Sequence, residues 1–375
     1  MTTVSETAKT IHFESTEKNN ETMSFRLKIL CIKVSTILLF LLFFQVTFSQ
    51  DYDFSEVDKK MDRYKKELGN NVEMMILKGD KIIYDKHWGD MDKRMVVPIA
   101  SCSKWLTAAI VMILADEGKI SLDDKVSKYI PDFTKYGKGY ITVRHCLSHQ
   151  TGIQQEPVKL LSILQRKKFA NLEEEVKDYI EKKDIDFNPG TGFAYGNVGL
   201  NIAGRICEIV TKKNFQQLAL EKLFRPLGMR ATTFANEDFS VAPNPSGGAK
   251  SNAEDYMNFL SMILNKGMFK GKRILSEAAI AEMQKEQITP NMIKYTPKVA
   301  EGYTYGLGEW IQEKDASGNA VVVSSPGLFG TWPMIDKCRE YACIFMVKTL
   351  LGEGKRNIYL DVKSSIDAVI ANNCK

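Results

Sequence analysis

A chain of 375 residues with 44% hydrophobic and 26% charged side chains can bury a sizeable core, as one large domain or two interleaved lobes. Its 51 basic and 46 acidic residues leave a formal charge of only +5, and no basic stripe with interleaved aromatics runs through it. Nucleic acid is thereby excluded as an expected partner.

The first segment sets the expected compartment. Residues 34–48 (VSTILLFLLFFQVTF) are apolar apart from small polar residues and Gln45, and Arg26, Lys28 and Lys33 precede them. Basic then apolar is the order of a signal peptide. Thr47 and Ser49 suit cleavage before Gln50, so residues 1–49 are expected to be a polar head plus a removed signal, with the working domain at 50–375. Met23 as the start would leave an ordinary short basic n-region. Retained instead of cleaved, residues 29–48 would reach the roughly 20 residues of a membrane span and tie the chain to a membrane. Either way the expected location is extracytoplasmic, periplasmic or secreted. Cys31 lacks a lipobox context, so no lipid attachment is expected.

Residues 71–77 and 81–88 read as two strands around Lys78, Gly79 and Asp80. Leu106, Ile110, Ile113 and Leu114 then recur at spacings of three and four, predicting a helix with one apolar face over 101–117, closed by Gly118. Ser101 and Lys104 lie one turn apart at its start, so their side chains share a face. A serine there sits at the positive end of the helix dipole, among N–H groups without intrahelical partners, where an oxyanion is stabilised. A lysine buried beside it would favour its neutral form and could take the serine proton. Ser-x-x-Lys alone also describes a helix cap followed by a surface lysine, and Ser15 and Lys18 repeat the spacing in the polar head.

Residues 188–197 (NPGTGFAYGN) form a turn before a second helical pattern from Val198. In an extended loop, residues two apart point the same way, which lets Tyr195 and Asn197 face one cleft. A core tyrosine after a turn is the plainer reading. Tyr256 and Asn258 repeat the spacing inside a helical run, 252–264, where they diverge. His145 and His149 stand four apart, but no Glu-x-x-His context accompanies them and no metal site is expected. A Gly-x-Ser-x-Gly elbow and a phosphate-binding glycine loop are both missing, which argues against an α/β-hydrolase or a P-loop enzyme.

Long loops are expected over 154–182 and 284–302, strands over 305–312, 321–324, 331–335 and 341–347, and a closing helix over 357–371. Strands at both ends with helices between predict an α/β (α+β) fold. One antiparallel sheet is built from both chain ends and flanked by terminal helices, with a mostly helical lobe inserted at roughly 120–270. Cys102, Cys146 and Cys207 fall in helical settings as small apolar residues. Cys338 and Cys343 flank a turn and could pair across a hairpin, leaving Cys374 unassigned.

Several of these stretches stand in an order that resembles the serine β-lactamase and penicillin-recognising family, on its class C, esterase and D-peptidase side. They are IASCSKWLTAAI, GKISLDDKVSKYIPDF, ITVRHCLSHQTGI, FNPGTGFAYGNVGLNIAG, RPLGM, SGGAKSNAEDYMNFL and YGLGEW, spread over roughly residues 51–347. Each motif is weak alone, whereas the ordered set is specific. The resemblance implies the fold above, with a cleft between sheet and lobe.

It also implies an acyl-enzyme hydrolase without metal or organic cofactor, acting on a small-molecule or peptide substrate. Ser101 would attack an ester, amide or lactam carbonyl, Lys104 and Tyr195 would share the proton transfers, and Asn197 would orient the substrate or Lys104. The third family motif departs from type. Members acting on β-lactams or D-alanyl peptides usually carry Lys-Thr-Gly or His-x-Gly there, and the matching residues here are Ser325, Pro326 and Gly327. The glycine remains, and the Leu328 N–H could join that of Ser101 as an oxyanion donor. The cation that would hold a substrate carboxylate does not remain. An esterase or D-peptide hydrolase is therefore expected ahead of a β-lactamase. A sensor on the same scaffold that acylates slowly, or only binds cell-wall fragments, is the expectation from a different class.

Overall fold

Alternation with a period of two sorts the sheet's side chains. In β1 (Val72–Lys78), Met74 and Ile76 enter one apolar cluster while Met75 and Leu77 enter another on the opposite face. The computed structural model describes residues 52–157, 167–238, 240–349 and 355–374. It sets β1 in one sheet with β2 (Lys81–Trp88), β3 (Thr304–Tyr305), β4 (Trp310–Lys314), β5 (Ala320–Ser324), β6 (Trp332–Asp336) and β7 (Tyr341–Val347). These make one antiparallel sheet in the order β2-β1-β7-β6-β5-β4-β3. Both chain ends meet at its centre, where Val72 stands opposite Val347 and Lys78 opposite Tyr341.

Helices α1 (Ser55–Tyr64) and α7 (Arg356–Val369) cover one face, clipped together where Lys60 Nζ donates to Asp361 Oδ1 at 2.8 Å and the Tyr64 hydroxyl to Asp361 Oδ2 at 2.8 Å. The other face carries α6 (Ala253–Leu264) and merges with the core of the helical lobe. That lobe includes α3 (Val143–Leu147), α4 (Leu172–Lys182) and α5 (Val198–Thr211). Through it runs α2 (Ser103–Asp116), preceded by a 3₁₀ turn at Ala100–Cys102 and closed by Gly118 at φ +70°. Residues 103–114 of α2 are all buried. The helix was expected to show one apolar face and instead is enclosed on every side, because lobe and sheet meet around it.

The sheet and terminal helices follow the expected plan, with three local differences. The strand expected over 305–312 is broken at 306–309. A Cβ on Gly308 (φ +80°) would lie 2.4 Å from Ala108 Cβ and 2.9 Å from the Lys104 carbonyl, so the chain bends there to admit α2. The loop expected over 154–182 contains α4, started by Asn171, whose side chain accepts the Glu174 N–H at 2.9 Å. The loop expected over 284–302 holds a short strand, Ile293–Tyr295, parallel to Phe193–Ala194.

The cysteine pairing is corrected outright. Cys338 bonds to Cys374, while Cys343 is buried in β7 opposite Met334 as a free thiol. The C-terminal tail returns to the β6–β7 turn, where Asn373 N–H donates to the Cys338 carbonyl at 2.8 Å and brings the two sulfurs together. The expected signal segment and the alternative start at Met23 lie outside the described residues. No helix among the described residues is long and apolar enough to cross a membrane.

Candidate active site

Ser101 lies in the 3₁₀ turn, directly after Ala100, which is held at φ +45°. That left-handed conformation costs a side-chain-bearing residue roughly 1–2 kcal/mol, and it is secured by the neighbouring chain. Val97 and Pro98 pair with Ser251 and Lys250, the Ile99 N–H donates to the Ala249 carbonyl at 3.0 Å, and Ala249 N–H donates to Ser103 Oγ at 3.0 Å.

One turn on, Lys104 is wholly buried, and its Nζ lies 3.2 Å from Ser101 Oγ, 3.0 Å from Asn197 Oδ1 and 2.7 Å from the Ser246 carbonyl. Burial pulls its pKa from the ordinary 10.5 down to about 7. The three contacts suit both protonation states. As an ammonium, Nζ donates to all three oxygens. As a neutral amine it donates to Asn197 and Ser246 and accepts the Ser101 hydroxyl proton, so only the serine contact reverses.

Tyr195 completes the group. Lys104 Nζ stands 5.0 Å from the centroid of its ring. Burial raises the Tyr195 pKa, and the Ser101 hydroxyl and Trp310 side chain, both near its oxygen, act in the opposite sense. His149, Tyr305 and Trp310 pack against the ring, with the Trp310 centroid at 4.9 Å, and Phe193 packs against Tyr305 in the same cluster. Asn197 is the N-cap residue of α5, yet its side chain makes no cap bond and goes to Lys104. Of the two roles expected for it, this contact is the orientation of Lys104.

The third motif runs beside Ser101. Ser325 is buried, and its hydroxyl donates to the Ser101 carbonyl at 3.2 Å and lies 3.5 Å from the Gly308 carbonyl. Its contacts are thus with the main chain of Ser101 and Gly308. Gly327 must be glycine for a different reason from the one its motif suggests: a Cβ there would come within 2.4 Å of the Ile99 carbonyl. Its own N–H donates to the Thr331 carbonyl at 2.8 Å.

Sequence reasoning missed the support around these residues. The Ser246 carbonyl that holds Lys104 is fixed by its own N–H, which donates to Asn201 Oδ1 at 3.0 Å, while Asn201 Nδ2 donates to Glu175 Oε1 at 3.0 Å. A main-chain acceptor leaves no trace in residue identity. Tyr305 and Trp310 sit within YGLGEW, which the resemblance had flagged without assigning roles. His145 and His149 do not face a shared ligand. His145 Nδ1 accepts the Thr142 N–H at 3.3 Å in a capping box of α3, whereas His149 lies behind Tyr195.

Residues 61–363 match the family described as Beta-lactamase. The crystal structure of a putative beta-lactamase from Bacteroides dorei DSM 17855 is 30% identical with a TM-score of 0.75, covering 85% of this chain and 99% of that one. A family VIII carboxylesterase shares the fold at 20% identity and TM-score 0.66, over 84% of this chain and 96% of its own. Protein flp of Staphylococcus aureus (strain MW2) is 28% identical over 177 residues, 44% of this chain but only 35% of that protein. On the family match across most of its length, the chain belongs to the Beta-lactamase family and carries the fold of its serine hydrolases.

Proposed function

We propose that this protein is an extracytoplasmic serine hydrolase that works through an acyl-enzyme, as an esterase or D-peptide hydrolase. The observation that carries the reading is Lys104 Nζ 3.2 Å from Ser101 Oγ, buried and brought to a pKa of about 7. A lysine so placed takes the hydroxyl proton as Ser101 attacks a carbonyl, the N–H groups of Ser101 and Leu328 receive the oxyanion, and Tyr195 delivers a proton to the leaving group. Water then attacks the acyl-serine with the same base. The apolar run at 34–48 and the Cys338–Cys374 disulfide support an oxidising compartment outside the cytoplasm.

Ser325 in the third motif supports neutral acyl substrates, since a serine supplies no charge to a carboxylate. A charge-assisted anchor is worth roughly 1.5–3 kcal/mol, about ten- to a hundredfold in specificity. A second reading, a β-lactamase, is favoured by the 30% identity to the Bacteroides dorei protein described as a putative beta-lactamase. The test is labelling with a fluorescent fluorophosphonate beside a fluorescent penicillin, followed by turnover of p-nitrophenyl esters and penicillins. The proposal expects Ser101-dependent labelling by the phosphonate and preference for neutral esters. Labelling that persists in Ser101→Ala overturns the nucleophile. Penicillin turnover equal to or above that of esters favours the second reading.

A further inference from the structure

Tyr195 and Asn197 flank Gly196, and a histidine holds that middle residue. His149 Nδ1 accepts the Gly196 N–H at 3.4 Å, and the His149 carbonyl accepts the Ala194 N–H at 3.1 Å. The other ring nitrogen, Nε2, lies 3.1 Å from the Tyr305 hydroxyl. An accepting Nδ1 places the single proton of the neutral ring on Nε2, which donates to Tyr305. Burial, and then the nearby Lys104 charge, keep the ring neutral by pushing its pKa well down. The imidazole also packs on the Tyr195 ring with centroids 4.6 Å apart. Carbonyl and ring both reach the 194–196 segment because His149 adopts φ +57°, the left-handed region. Among the described residues His149 makes no hydrogen bond to Ser101 or Lys104.

We propose that His149 is the positioning residue of the Tyr195–Asn197 pair, acting as a hydrogen-bond acceptor locked into one tautomer by Tyr305. The inference rests on the reading of Ser101, Lys104 and Tyr195 given above. Holding the Gly196 N–H fixes the peptide plane between Tyr195 and Gly196, and with it the point from which the chain leads on to Asn197. On one side of that plane stands Tyr195, and one residue beyond Gly196 stands Asn197, whose Oδ1 meets Lys104 Nζ at 3.0 Å. A shift of about 1 Å in such a group is enough to lose on the order of a hundredfold in rate.

Three variants test this in the full chain, with p-nitrophenyl butyrate turnover, fluorophosphonate labelling and thermal melting. His149→Phe keeps an aromatic ring but offers Gly196 no acceptor. Asparagine tolerates the left-handed backbone, and in His149→Asn its amide oxygen falls near the Nδ1 position. Tyr305→Phe removes the acceptor that selects the tautomer. Expected are a loss of kcat on the order of a hundredfold with little change in KM for His149→Phe, and recovery to within about tenfold of wild type for His149→Asn. Tyr305→Phe should lose about tenfold in kcat with melting temperature and KM unchanged. Equal losses in folded Phe and Asn variants overturn the proposal, because the acceptor then does not matter. Should His149→Phe fail to fold, Tyr305→Phe decides, and an undiminished kcat there overturns it. Wild-type protein that does not label at Ser101 removes the nucleophile assignment and this inference together. Labelled wild type with normal His149→Phe turnover overturns this inference alone.

Discussion

Lys104 and Glu309 lie near the same close contact, that of Gly308 with α2, and both are fully buried ionisable side chains in opposite polar circumstances. Lys104 has an oxygen partner for each of its three N–H directions. Glu309 has none: among the described residues neither carboxyl oxygen is hydrogen-bonded. Burial raises its pKa to about 8, tempered by the Lys337 charge and by the Trp105 indole, whose geometry falls short of a hydrogen bond. Burial thus drives both groups toward neutrality. Only the partnered one can exchange a proton with a defined neighbour, and that separates a group suited to chemistry from one that is merely tolerated.

Replacing Lys104 by methionine should break the comparison most severely. Turnover should fall by a factor on the order of 10²–10⁴, as for loss of a positioned base. Stability should move the other way. Between about 7 and 10.5 the unfolded chain holds a proton on this lysine that the folded chain has released, so wild-type stability climbs with pH across that window. Lys104→Met should therefore gain most over wild type below pH 7, and its advantage should vanish near pH 10.5. Urea melts at pH 6, 8 and 10 check this, and a variant weaker than wild type at pH 6 would show that the three contacts outweigh desolvation.

Next in size is Tyr195→Phe, expected to lower kcat about a hundredfold while leaving the melting temperature nearly unchanged. Wild-type turnover in this variant would leave Lys104 as sole proton carrier. The Glu309 side of the comparison is sharpened by Glu309→Gln. Wild type should lose stability as pH rises from the ordinary 4.5 to about 8, because the folded carboxyl keeps its proton there and the unfolded one does not. The variant should match wild type near pH 4 and exceed it above pH 8, by several kcal/mol at most, since each pKa unit is worth about 1.4 kcal/mol. Equal melting curves at pH 9 would mean that solvent or a partner reaches the ionised carboxylate. The smallest effect is expected of Ser325→Ala, which removes the hydroxyl on the Ser101 carbonyl and should cost about 0.5–1.5 kcal/mol. A loss of turnover far above tenfold with stability intact would return Ser325 to the substrate-binding set.

What could be read from the residues follows from how local each signal is. The terminal sheet was legible because the apolar runs of β1 and β7 and the turns beside them are local, and the Ser101–Lys104 pair because one helical turn fixes it. Ser325 was legible as a motif position but not as a contact, since where a hydroxyl points depends on a carbonyl more than two hundred positions away in the chain. The Cys338–Cys374 bond was missed for the same reason: nearness in sequence favoured Cys343, while the returning tail sets the partner. His149 was visible only as half of a histidine pair, because its role lies in accepting a main-chain N–H.

The placement of Val72 opposite Val347 also fixes an order of events during synthesis. The β1–β2 hairpin is made with one edge unpaired, and its partner β7 follows only after the whole helical lobe. Until then the sheet is incomplete. Pairing across so long a stretch carries a large loop-closure cost and slows folding, with the exposed β1 edge open to wrong partners meanwhile. If the proposed hydrolase reading holds, turnover should appear only after β7 is in place, which makes its recovery a clock for closure of the sheet.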